Sequence, residues 1–237
     1  MTVITLSREL GTQGEQIAAG VAARLNLRII NAETISRAAQ QAGVPQPALA
    51  EWEHEGGRGL AGQVLKALRT MPSITTTTEA GGSYAETPGI TRPFAGLFST
   101  MAPPLSASLE GYVHMVDLVI QGLAREGNVL VMGRGAQVLL RKQPDAFHVQ
   151  IVAPFAYRVK TVMAAEKLSK RDAENRVRAS DRGRADYLRR YHGVDWLDPC
   201  LYHLVINSAC IPVETAVELI VLGQHSAAES TTIHAEN

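Results

Sequence analysis

At 237 residues and 46% hydrophobic content, the chain is long enough for one large domain, or a core plus a small subdomain, with a sizeable buried interior. Lys+Arg and Asp+Glu both total 23, so the formal net charge is zero, which argues against a general binder of nucleic acid or membrane surfaces. Cys200 and Cys210 are too few for a disulfide framework and lack metal-ligand spacing. No apolar run is long enough to span a bilayer, and no charged segment leads into an apolar signal region. A cytoplasmic protein with reduced, partly buried thiols is expected.

The first elements are the most informative. Val3, Ile4 and Leu6 form an apolar run that stops at Ser7-Arg8-Glu9. A loop with Gly11 and Gly14 follows, and then Ile17, Ala18, Val21, Ala22 and Leu25 recur at helical spacing. Strand, Gly-containing turn and helix form the unit that holds phosphate in mononucleotide-binding folds, because backbone N–H groups and the positive end of the helix dipole point at the anion. A buried strand feeding such a helix also predicts a parallel sheet. A second reading of the same loop is a plain βα turn, in which the glycines serve backbone conformation and close packing with no ligand. Residues 28–31 read as a short strand, and 32–43 and 48–55 as helices, the latter ending in the cluster Glu51, Glu53, His54 and Glu55, which reads as a solvated face, a metal role needing ligands from elsewhere in the fold. Residues 56–105 are dense in Gly, Thr and Pro with poor periodicity. They read as an irregular insert: a long loop or lid, or an element ordering against a partner subunit.

Residues 106–125 read as a helix with Leu109, Val113, Val116, Ile120 and Leu123 as its apolar stripe. Residues 129–132 are a buried-type strand followed at once by Gly133-Arg134-Gly135-Ala136. Ligands of open α/β sheets lie beyond the carboxyl ends of strands, and a guanidinium fork matches phosphate oxygens. Residues 146–152 form the next strand, and Ala153-Pro154 turns into a helix. Ser169 reads as the N-cap of another helix, with Asp172 as its capping-box acid. Arginine outweighs acid between 176 and 190. That run reads as a solvated ion-paired helix or as a nucleic-acid helix, the latter weakened by the lack of a second basic patch. A strand over 201–207 follows, with His203 at its entry bonded to a carbonyl, then a closing helix from Pro212 and a polar, flexible tail over 224–237.

Five motifs occur in order: Ser-Arg-Glu-x-Gly-x-x-Gly at 7–14, Gly-Arg-Gly-Ala at 133–136, Ala-Pro-x-x-x-Arg at 153–158, Asp-x-x-Arg at 181–184, and Tyr-x-Leu-Val-Ile at 202–206. Together they resemble the cytidylate kinase-like family, a divergent branch of the P-loop nucleoside monophosphate kinases, over 2–55 and about 105–222. The resemblance implies a three-layer α/β/α sandwich with a parallel sheet over 1–223, with 56–105 on the acceptor side and 168–192 as lid; the irregular composition of 56–105 also allows a homo-oligomer contact there. It implies transfer of the γ-phosphoryl of ATP, with Mg2+, to CMP or a similar monophosphate. Gly11, Thr12, Gln13, Gly14, Glu15 and Gln16 would cradle donor phosphates. Arg8 would stand in for a P-loop lysine, Arg134 and Arg158 would hold the acceptor, and Asp181, Arg182 and Arg184 would form the closing lid. No side chain is assigned as a metal ligand. Against G-x-x-x-x-G-K-[ST], Gly14 occupies the Lys position, Gln13 stands where Gly is usual and Glu15 where Arg is frequent. Met132 stands where an acid would orient magnesium. These departures support the alternative: a catalytically degenerate nucleotide- or phosphate-binding protein with a regulatory or assembly role.

Overall fold

Five strands, β1 (Val3–Arg8), β2 (Arg28–Ile30), β3 (Val129–Met132), β4 (Ala146–Val152) and β5 (Leu204–Asn207), pair in parallel in the order β2-β3-β1-β4-β5. This computed structural model describes residues 1–31, 34 and 109–235. The helices expected over 32–43 and 48–55 and the insert over 56–105 lie outside the described residues.

β1 is central because it is apolar on both faces, and a strand buried on both sides needs helices above and below it. On one face Ile4 and Leu6, with Leu130, Met132, Phe147, Val149 and Ile151, pack under α1 (Gly14–Leu25) and α6 (Val213–Ala235). On the other, Val3, Val129 and Val131 pack under Val116, Ile120 and Leu123 of α2 (Leu109–Glu126) and under Ala136 of the short α3 (Ala136–Leu139). The chain is therefore an α/β protein, a three-layer sandwich around a parallel sheet. A separate small core of Val159, Val162, Ala173 and Val177 joins α4 (Phe155–Glu166) to α5 (Lys170–His192). Ser169 caps α5 by accepting the Asp172 N–H at 3.2 Å.

α6 runs on to Ala235, and 224–235 contains no Gly or Pro to stop it. The structure corrects two expectations. Cys200 and Cys210 are exposed rather than partly buried. His203 bonds an N–H, not a carbonyl: its Nδ1 accepts from the His148 backbone at 2.9 Å. No helix among the described residues is long and apolar enough to cross a membrane.

His148 is buried on β4, its Nδ1 2.9 Å from Thr5 Oγ1 and its ring stacked on His203 with centroids 4.9 Å apart. Burial, and secondarily the neighbouring His203, push its pKa down from 6.5 to about 4. The unfolded chain therefore takes up this proton first as pH falls. The stabilising contribution is complete above pH 6.5 and is lost between there and pH 4, to an extent of about 3 kcal/mol at most. His148→Gln should flatten the stability–pH curve over that window in urea titrations. Equal slopes in the two proteins would remove His148 as the cause.

Candidate functional site

The sheet creates its own crevice. α1, leaving β1, covers one face, and α3, leaving β3, covers the other. β1 and β3 are neighbours, so a gap opens between their carboxyl ends. The Gly133 N–H donates to the Leu6 carbonyl at 3.0 Å and pins the two ends together. Ser7 and Arg8 form one wall, Gly133, Arg134 and Gln137 another, and Arg184, Tyr187 and Trp196 the roof. The Trp196 wall is fixed by a relay: Gln137 Nε2 donates to the Tyr202 hydroxyl at 3.2 Å, which donates to the Trp196 carbonyl at 2.6 Å.

The loop after β1 is tightly shaped. The Glu9 N–H donates to the Ile151 carbonyl at 3.0 Å, and the buried Thr12 hydroxyl closes back on the Glu9 carbonyl at 2.8 Å. Gln13 is left-handed (φ 59°, ψ 22°), the conformation that makes Gly usual there, and provides α1 with no side-chain cap. A helix start lacking such a cap keeps first-turn N–H groups available to an anion.

Arg8 lies across this helix start. A Cβ on Gly14 would stand 2.7 Å from Arg8 Cγ and 2.8 Å from its Cβ, so the arginine stem fills the space of a side chain at 14. Its Nε pairs with Glu15 Oε1 at 3.1 Å, and its Nη1 reaches the Gly133 side of the crevice. Glu15 itself is largely exposed. Arg134, 7% exposed, is held left-handed (φ 62°) between Gly133 and Gly135, a strain of about 1–2 kcal/mol for a residue with a Cβ. α5 presses on this turn: a Cβ on Gly135 would meet His192 Nε2 at 2.5 Å. Arg184 donates to Ser180 Oγ one turn back, and its guanidinium carbon lies 6.0 Å from the Trp196 ring centre.

Arg8, Arg134 and Arg184 thus meet in one crevice. Arg158, assigned to the acceptor by resemblance, has other partners and does not line it. It is 5% exposed; Nε donates to the Ala153 carbonyl at 3.0 Å, and Nη1 and Nη2 grip both Asp181 carboxylate oxygens at 2.9 and 3.0 Å. Nη2 also lies 3.3 Å from Glu9 Oε1, while Glu9 Oε2 accepts the Ala153 N–H at 2.9 Å. Burial pushes the Glu9 pKa up, against the pull of that N–H and of Arg158. Asp181 is therefore spent on Arg158, and Arg182 is exposed outside the crevice. Sequence reasoning gave Glu9 no role; its signal was an acid between a buried strand and a Gly loop. Gln137 and Trp196 had no local signal.

A protein-held magnesium does not fit these residues. Glu15 is paired to Arg8, Met132 is buried in the core, and among the described residues no three His, Cys, Asp or Glu side chains gather.

A family model described as the cytidylate kinase-like family matches residues 3–209. No curated protein matches the chain. Among solved structures, an uncharacterized protein from Eubacterium ventriosum is similar with a TM-score of 0.59 at 16% identity, covering 95% of this chain and 99% of that one. The shikimate kinase of Bacteroides thetaiotaomicron gives a TM-score of 0.43 at 11% identity, covering 96% and 98%. The dephospho-CoA kinase of Campylobacter jejuni gives 0.38 at 14%, again covering 96% and 98%.

Proposed function

The chain belongs to the cytidylate kinase-like family, and from that premise we propose that it is a phosphotransferase moving the γ-phosphoryl of ATP to a nucleoside monophosphate such as CMP. The observation that carries this reading is the convergence of Arg8, Arg134 and Arg184 at the carboxyl ends of β1 and β3, beside the loop that starts α1. Donor phosphates rest on the N–H groups of 11–15, that of Gln16 being donated to the Gln13 carbonyl at 3.1 Å, with Arg8 where a P-loop lysine would reach. Arg134 holds the acceptor phosphate, and Arg184 approaches from α5 to balance the charge of the transferring group. Chemistry of this kind needs alignment and charge neutralisation more than a general base.

Glu15 and Met132 favour a second reading, a nucleotide binder without turnover. A coupled ADP-release assay with ATP across the monophosphates, together with calorimetry, separates the two. Turnover with at least one acceptor supports the first; heat without turnover supports the second; no heat with any nucleotide removes both.

A further inference from the structure

We propose that Glu9, Arg158 and Asp181 form a positioning network that couples the phosphate loop to α5 and so sets where Arg184 stands in the crevice. This rests on the reading that the crevice takes an anion. α5 has few apolar anchors in its middle. Ala173 and Val177 hold its first turns to α4, and the next buried apolar residue is Leu188, three turns on. Between them the helix is tied by Asp181, whose two carboxylate oxygens are gripped in bidentate fashion at 2.9 and 3.0 Å. A fork–fork pair fixes orientation as well as distance. Arg158 cannot follow a moving helix, because its Nε is bonded to the Ala153 carbonyl at 3.0 Å. Glu9 closes the circuit: it bonds the Ala153 N–H at 2.9 Å, stands 3.3 Å from Arg158 and begins the loop that leads into α1.

Arg184 lies three residues beyond Asp181, on nearly the same side of the helix. Rotating α5 to loosen Asp181 therefore carries Arg184 out of the roof. Glu9 feels Arg184 electrostatically as well as Arg158. Glu9 and Asp181 are thus positioning residues that act through arginines and touch no ligand.

Trp196, beneath the Arg184 guanidinium, reports the effect without any ligand. In a Trp52→Phe background, Asp181→Asn should shift the Trp196 emission, and Glu9→Gln, which keeps an acceptor for Ala153, should shift it the same way. With ATP or pyrophosphate as probe, Asp181→Asn should weaken binding about tenfold, as should Arg184→Ala, and the double variant should lose no more than about twofold further. An unchanged Trp196 spectrum in both variants, or additive losses in the double variant, overturns the network. If wild type binds neither probe, the kinase reading fails while the spectral shift still decides the coupling.

Discussion

Arg134→Gly should weaken binding of a phosphorylated ligand by about 2–3 kcal/mol, roughly 30- to 150-fold, which is the worth of charge-assisted hydrogen bonds. Glycine is the informative substitute. The residue is left-handed at φ 62°, where glycine sits without strain, so the change adds no backbone penalty of its own. Arg134→Lys keeps the charge and loses the fork, and should fall between the two. Calorimetric titration with CMP and with pyrophosphate reads the effect directly. Affinity unchanged in Arg134→Gly would take Arg134 out of the binding site and leave the crevice without its acceptor-side anchor. In turnover the same change should act through KM if Arg134 binds acceptor and transition state alike, and through kcat as well if its grip tightens as charge shifts.

The fold was legible because its signals are local. Val3, Ile4 and Leu6, and Val129 to Met132, are runs that only a sheet covered on both faces can hide, and the strand bounds at 129–132 and 146–152 follow from the sequence alone. The extent of α6 was less legible, since polar residues over 224–235 neither extend an apolar stripe nor, without a Gly, Pro or cap, end a helix.

The site was legible in part, and the division has a physical cause. Which arginines meet a ligand depends on which acids they meet first, and those acids are distant in sequence. Arg158 meets Asp181, 23 residues on, and Ala153 meets Glu9, 144 residues back. Arg182 and Arg184 are two residues apart, which on a helix is about 200°, so they face opposite ways and only Arg184 reaches the crevice. Motif spacing placed all of them near phosphate; the third dimension divides them into one set that lines the crevice and one that braces it.

Gly11→Ala should cost about 3 kcal/mol. Two costs coincide. The residue has φ +87°, which a residue with a Cβ adopts only under strain, and the added Cβ would lie 2.6 Å from the Arg158 carbonyl oxygen and 3.0 Å from its Cα. Both neighbours are backbone, so no side chain can swing away to relieve the contact. Gly193→Ala is the control: it has φ +67° with nothing within 4 Å of an added Cβ, so it carries the conformational cost of about 1 kcal/mol and no collision. For a chain of this size the difference should appear as a melting temperature several degrees lower for Gly11→Ala than for Gly193→Ala. The collision also pushes on the residue whose guanidinium holds Glu9 and Asp181, so nucleotide affinity should fall in Gly11→Ala and stay unchanged in Gly193→Ala. Equal stability in the two variants would mean that the loop after β1 is not seated against α4, and the bracing of Arg184 through Arg158 would lose its foundation.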